Sequence, residues 1–118
     1  LIYGEFDNKI LTINGSHEIT KAVRTSAVET VTASSDTLDD TNYLVLCDCT
    51  SNAITINLPA ASGNTGLTYV IKKIDVAGND VTVDASGAET IDGATTAVIS
   101  IENASITVVC DGTEYWII

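Results

Sequence analysis

Three predicted strands of this chain carry apolar side chains on both of their faces. They are "YLVLC" (43–47), "SITVVC" (105–110) and "EYWII" (114–118). Successive side chains of a strand point to opposite faces of the sheet, so such strands must be covered on both sides. A single small sandwich covers only one face of each sheet. We therefore expect a second layer, formed by a folded-over sheet or by another copy of the chain.

The rest of the sequence also favours strands over helices. Thr, Val and Ile dominate it, and their branched Cβ atoms pack well on a pleated sheet. Turn-forming residues recur about every 8–12 residues, which is typical of an all-β sandwich or barrel. The sequence predicts an all-β, antiparallel fold in which roughly nine to eleven strands mostly pair with their neighbours in the chain.

Short turns are expected to join these strands as hairpins. Asp7-Asn8 would join 1–6 to 9–13, Thr50-Ser51-Asn52 would join 42–49 to 53–59, and Asp111-Gly112 would join the last two strands. Further turns are predicted at Asn14-Gly15, at 77–80 and at Asp92-Gly93. The polar stretch 16–41 is predicted to be a connector with one or two short strands.

The chain has 118 residues, which fits one folded domain after a connecting segment. We assign residues 1–25 to a connecting segment with a β-hairpin, and residues 26–118 to a C-terminal β domain. Met is absent, including at position 1, and we expect the sequence to be a segment of a longer chain.

The formal net charge is −11, which argues against two classes of partner. Nucleic acids need Lys and Arg for their phosphates, and anionic membranes attract basic segments. No apolar run approaches the ~18 residues of a membrane span. We expect no nucleic-acid binding and no membrane insertion.

Residue chemistry gives little support for catalysis. The only His is His17, in the polar connector, so a nucleophilic triad lacks a His base. Three copies of His17 could meet on an axis and hold a metal or an anion, but a solvated linker His is the simpler interpretation. The acids adjoin turn residues and are explained by turn chemistry. We expect no enzyme activity, no metal and no cofactor.

Three cysteines occur, Cys47, Cys49 and Cys110. Cys47 and Cys49 would share one face of a strand and cannot easily pair with each other, whereas one of them could meet Cys110. The simpler interpretation is that all three are buried free thiols that pack as small hydrophobic groups. An odd count favours folding in a reducing cytoplasm.

Aromatic residues are few, and each lies in a predicted strand beside aliphatic residues. Tyr69 and Trp116 are therefore predicted to pack in the core rather than to form a sugar-stacking platform. On that interpretation, truncating Trp116 to Ala would unfold or dissociate the protein, at about 3–5 kcal/mol.

Several stretches together resemble the C-terminal region of tail-fibre and tail-spike proteins of tailed bacteriophages. They are "INLPAASGNTG" (56–66), "YVIKKID" (69–75), "AETIDG" (88–93) and "CDGTEYWII" (110–118), and the opening "LIYGEFDNKILTING" (1–15) is similar to a segment that leads from a fibre shaft into such a tip. The resemblance covers about 1–15 and 42–118.

This resemblance implies a non-catalytic structural and adhesive fibre tip, built as an intertwined homotrimer of small sandwich, jelly-roll-like or β-prism-like domains. It would assemble in the bacterial cytoplasm, reside in the virion, and contact a surface glycan, lipopolysaccharide or outer-membrane protein of the host. Loops such as 50–52, 60–66 or 85–90 are the expected contact regions. Side chains assigned to core or trimer packing are Tyr3, Phe6, Ile10, Leu11, Ile13, Tyr69, Ile71, Tyr115, Trp116, Ile117 and Ile118.

Two alternatives remain open from the sequence. One is a monomeric carbohydrate-binding module, which would carry an exposed strip of aromatic side chains. The other is part of a polysaccharide-degrading tail spike, which would release sugar from capsular polysaccharide. A trimeric species in solution would favour the fibre tip over both.

Overall fold

A computed structural model describes residues 14–15 and 28–118 of the protein. These ranges contain nine strands and no helix, hence no helix of the length and apolarity needed to cross a membrane. The strands are β1 (Val28–Val31), β2 (Ser35–Thr37), β3 (Leu44–Cys47), β4 (Ile54–Asn57), β5 (Thr68–Lys73), β6 (Val81–Asp84), β7 (Thr96–Ile99), β8 (Ser105–Cys110) and β9 (Tyr115–Ile117). The all-β prediction is confirmed for this part of the chain.

The strands form two mixed sheets whose inner faces share one hydrophobic core. Sheet A has five strands in the order β1-β3-β5-β8-β9, and sheet B has four in the order β2-β4-β6-β7. This arrangement is compatible with a sandwich.

The first six strands alternate between the sheets, so the chain passes from sheet A to sheet B three times, from β1 to β2, from β3 to β4 and from β5 to β6. Each pass is one coil, and equivalent strands of successive coils pair in parallel. The prediction of antiparallel pairing between sequential neighbours is therefore wrong for the first six strands. Parallel neighbours need a crossover of about a dozen residues, and the strand in the other sheet forms part of it.

The pairing register exposes a repeat between the second and third coils. Leu44–Cys47 lies beside Val70–Lys73, and Ile54–Asn57 lies beside Val81–Asp84. The sequences "ITIN" and "VTVD" have the same alternation of branched apolar and polar residues. Equivalent side chains thus stack on the same face, which keeps the inner face apolar between β4 and β6.

The last three strands are antiparallel and close the coils on one side. β7 pairs with β6, β8 pairs with β5, and β8 and β9 form a hairpin through Asp111-Gly112, as predicted. The predicted turn at Asp92-Gly93 is also present, since both residues have positive φ angles of 51° and 86° and Ile91 bridges Ala94.

Residues 90–92 cover part of the open edge of β9. The N–H of Tyr115 donates to the carbonyl of Thr90 at 2.9 Å, and the N–H of Ile117 donates to Asp92 Oδ1 at 3.0 Å. Unpaired edge strands invite association with other strands, and this cover restricts that at β9.

The core is made by the inward-facing residues of both sheets. Alternation places Ile54, Ile56 and Leu58 inside, and Tyr69 and Ile71 contribute to the core from sheet A. The full buried apolar set is Val31, Leu38, Val45, Cys47, Cys49, Ile54, Ile56, Leu58, Ala61, Tyr69, Ile71, Val81, Val83, Ala85, Ile91, Ile99, Val108, Cys110 and Tyr115.

Two buried tyrosines fasten loops to this core. The hydroxyl of Tyr69 donates to the carbonyl of Asp39 at 2.9 Å, and that of Tyr115 donates to the carbonyl of Pro59 at 2.8 Å. A buried phenol needs a hydrogen-bond partner for its O–H group. Each tyrosine therefore packs its ring in the core and fixes the position of a loop through its hydroxyl.

The loops collect at two ends of the sheets because the first six strands alternate in direction. The acidic end, as we call it, contains loops 38–43, 58–67 and 85–95 and turn 111–114; it carries six Asp or Glu residues and no Lys or Arg. The opposite, lysine end contains loops 32–34, 48–53, 74–80 and 100–104, and both Lys72 and Lys73 lie next to it.

The N-terminal predictions fall largely outside the described residues. This applies to the hairpin over 1–13, to His17 and to most of the segment 1–25. Asn14 and Gly15 form a bend, and Gly15 has a φ of 134°. One or two short strands were expected within 16–41, and two are present, β1 and β2.

Replacing Gly112 with Ala should destabilise the fold by about 1–3 kcal/mol. Gly112 has a φ of 98°, which L side chains rarely adopt, and an added Cβ would collide with the Thr65 hydroxyl. Chemical denaturation would measure the loss. Gly78→Ala is the matched control because a Cβ there meets nothing within 4 Å; equal stability of the two variants would contradict the described turn.

Candidate interaction surface

The outer face of sheet B is polar. Residues on it lie in two rows, Ser35–Thr55–Thr82–Val98 and Thr37–Asn57–Asp84–Thr96. Only Val98 interrupts the hydroxyl, amide and carboxylate groups of this face. Such a surface is stable in water without a partner.

The outer face of sheet A is different, because an apolar row crosses it. The register aligns Val28, Leu44, Val70 and Thr107, and the N–H of Ile118 donates to the carbonyl of Thr107. Leu46 lies on the same face one row away. We call Val28, Leu44, Leu46, Val70 and Ile118 the apolar patch. Val28 is 63 % exposed and Ile118 is 76 % exposed, while the middle members are half-buried.

The predicted packing residues separate into two groups in the structure. Tyr69, Ile71 and Tyr115 are fully buried in the core of the single chain. Trp116, Ile117 and Ile118 are exposed, and the core placement of Trp116 is wrong for the single chain because its side chain is 47 % exposed. Tyr3, Phe6, Ile10, Leu11 and Ile13 lie outside the described residues.

Trp116 lies on the outer face of sheet A, in the row that is nearest to the acidic end. This row also contains Thr68 and Val109. The indole N–H donates to Asp111 Oδ2 at 2.7 Å, while Asp111 Oδ1 accepts the N–H groups of Thr113 and Glu114. The hydrogen bonds from the Glu114 N–H, the Trp116 indole and the Thr113 N–H lower the pKa of Asp111. The indole is thus held by a carboxylate while about half of the residue remains exposed.

The most buried polar group of the described residues is an ion pair at the lysine end. Lys73 is fully buried, and its Nζ donates to Asp75 Oδ1 at 2.6 Å and to the carbonyl of Ala77 at 3.1 Å. Asp75 Oδ2 accepts the N–H of Cys49 at 2.7 Å. The pair therefore holds loop 74–80 against the end of β3.

The sequence contains a pattern from which this ion pair could have been predicted. Alternation places Lys73 on the same face as Tyr69 and Ile71, and this face is the inner one. A Lys on a buried face needs a nearby carboxylate, and Asp75 follows two residues later. The pair satisfies its own hydrogen-bonding groups and presents no group to a ligand.

All three cysteines are buried and free, in agreement with the simpler interpretation of the sequence. Burial, followed by the charges of Cys49, Asp36 and Asp75, raises the pKa of Cys47 to about 12. Burial and the Asp75 charge also raise the pKa of Cys49. Because the thiolate is the reactive form, these two groups are poor nucleophiles at neutral pH.

Other candidate sites are weak. A groove of about 180 Å³ lies along β1 and β2, but it is shallow and lined by a mixture of polar and small apolar residues between Glu29 and Asp36. Within 14–15 and 28–118, no three His, Cys, Asp or Glu side chains are grouped so that they could hold a metal ion. The apolar patch and Trp116 lie together on the outer face of sheet A, while Ile74, Val76 and Ile101 are exposed separately in loops of the lysine end.

Comparison with known proteins does not assign a family. No protein-family model matches the chain, and no curated protein sequence matches it.

Replacing Asp75 with Asn should lower the melting temperature at neutral pH, because it leaves the buried Lys73 ammonium without its counter-charge. Burial would raise the pKa of Asp75, but the hydrogen bonds from Lys73, Cys49 and Ala77 outweigh burial and lower it. Its contribution to stability is therefore complete above about pH 4 and is lost as pH falls through the folded-state pKa.

Thermal unfolding between about pH 7 and pH 3 would test this contribution. The melting temperature of Asp75→Asn should depend less on pH than that of the wild type. Asp40→Asn, at an exposed carboxylate, is the control. If Asp75→Asn melts like the wild type at neutral pH, the proposed role of the pair is wrong.

Proposed function

We propose that this protein is the non-catalytic structural and adhesive tip of a bacteriophage tail fibre. Three copies would assemble into an intertwined homotrimer of sandwich or β-prism-like domains, made in the host cytoplasm and carried in the virion. The tip would contact the bacterial surface. The proposal combines the resemblance of the sequence to fibre tips with one feature of the surface.

That feature is the difference between the two outer sheet faces. Water solvates the Thr, Ser, Asn and Asp side chains of sheet B, whereas one outer row of sheet A is apolar from Val28 through Leu44 to Val70 before it reaches Thr107. Burying one large apolar side chain is worth roughly 1.5–3 kcal/mol. Several such residues on each of three copies would favour association, after the loss of conformational and rotational freedom is subtracted.

The apolar patch suits the same apolar patch on a sister copy better than a surface of phosphate groups. The net charge of −11 disfavours nucleic acid and anionic lipid. The five side chains of the patch are uncharged, Lys72 lies beside Leu46 on the same face, and the row of Thr68, Val109 and Trp116 separates the patch from the acidic end. Parallel strands are usually covered on both faces, and β1, β3 and β5 are parallel.

The carbohydrate-binding alternative gains one supporting observation, the exposed and oriented ring of Trp116. A sugar-binding residue is compatible with a fibre tip, because adhesion requires a contact with the host. The polysaccharide-degrading alternative gains no such support.

The oligomeric state tests this proposal. We expect the full chain to run as a single trimeric species in light scattering at micromolar concentration and to resist mild detergent. The double variant Val28→Glu/Leu44→Glu should dissociate into folded monomers, because paired carboxylates on the patch cannot be buried together.

The matched control is Ser35→Glu/Thr55→Glu. These residues are cross-strand neighbours on the outer face of sheet B, so the control adds the same charge at an equivalent register. It should remain trimeric. A monodisperse wild-type monomer would refute the assembly, and loss of the trimer in the control alone would place the contact on the other sheet.

A further inference from the structure

The structure assigns a neutral-glycan contact to the exposed face of Trp116. This inference rests on the proposed adhesive function and deepens it by naming the residue and the ligand class. The ligand would be a neutral hexose or N-acetylhexosamine residue of a host surface polysaccharide. Its apolar C–H face would lie on the indole ring.

The indole ring of Trp116 is held in place before any ligand binds. Trp116 is 47 % exposed, and its N–H is already bound by Asp111 Oδ2 at 2.7 Å. The Asp111 carboxylate is itself fixed by two N–H groups of turn 111–114. A ring held in this way loses little freedom when a ligand stacks on it. The electron-rich face of an aromatic ring attracts the C–H groups of a sugar.

The charges near Trp116 decide which class of glycan it can bind. The ring lies in the outer row next to the acidic end, whose loops include Asp92, Asp111 and Glu114 and no base. Carboxylates accept hydrogen bonds from sugar hydroxyls, but they repel phosphates, sulfates and uronates. The described lysines lie elsewhere: Lys73 is buried, and the Nζ of Lys72 donates to the carbonyl of Asn103 at the lysine end. The chemistry therefore favours a neutral glycan over an anionic one.

Trp116 is disfavoured as a contact between copies because of the acidic residues near it. Placing several copies so that Trp116 is buried between them would also bring several acidic ends together. Like charges across an interface disfavour that association. The apolar patch begins one row further from this end, so copies that meet on the patch keep their acidic ends further apart than copies that meet on the row of Thr68, Val109 and Trp116.

The experiment uses the fluorescence of Trp116, which is the only Trp in the 118 residues. The full chain is titrated with neutral gluco-, galacto- and N-acetylglucosamine oligosaccharides of α and β linkage, and separately with oligogalacturonate and a sulfated oligosaccharide. We expect a saturable change in emission with at least one neutral sugar and none with the anionic sugars.

Variants then test the residue by isothermal titration with the sugar that binds. Trp116→Ala should weaken binding by on the order of tenfold or more, Trp116→Phe should weaken it less, and neither should change the oligomeric state. Val98→Ala, at an exposed apolar residue on the other sheet, should bind like the wild type.

Three results would overturn the assignment. They are binding of none of the neutral sugars, preferential binding of an anionic sugar, and dissociation of the assembly by Trp116→Ala, which would place Trp116 in the contact between copies. Light scattering on the same samples keeps the two proposals distinct. A monomer that still binds a neutral sugar through Trp116 would refute the trimer and leave the glycan contact standing.

Discussion

The structure depends on a repeated crossing of the chain between two sheets. Each crossing places a strand of alternating apolar and polar residues beside the equivalent strand of the previous coil, so Ile54 and Ile56 lie beside Val81 and Val83. The core then extends by the same inward-facing residues in each coil. Because parallel strands pair only after a crossover, this core cannot form from local hairpins, and the final antiparallel strands complete it. The outer faces of the two sheets are not part of this core, and they differ in polarity.

The sequence predicted local structure more successfully than pairing. The inward alternation of Ile54, Ile56 and Leu58 and the hairpin at Asp111-Gly112 follow from side-chain period and turn chemistry, which are local properties. The turn at 50–52 was predicted to be a hairpin, but it connects strands in different sheets. Polar turn residues suit both a hairpin within one sheet and a connection between two sheets. Only the similarity between successive coils distinguishes these two kinds of connection. The alignment of "ITIN" with "VTVD" carried that information.

The functional surface was predictable in one respect only. Strands with two apolar faces indicated that sheet A needs a cover, and the outer row from Val28 to Val70 agrees with that expectation. Which face of β9 points outward could not be predicted, since Tyr115 and Trp116 are both large and aromatic. Pairing decides it: Tyr115 lies opposite Cys110 on the inner face, and Trp116 lies opposite Val109 on the outer face. The burial of Lys73 likewise could be predicted only by deciding which face of its strand points inward.

The central claim is that the outer face of sheet A is covered in solution. Thiol labelling at Val28→Cys measures this directly, because Val28 is 63 % exposed in the single chain and the three native thiols are buried. Ser35→Cys, on the outer face of sheet B, supplies the rate for an exposed position. The account predicts that the Val28→Cys thiol reacts much more slowly than the Ser35→Cys thiol in the native protein and equally fast after unfolding. Equal rates in the native protein would contradict it.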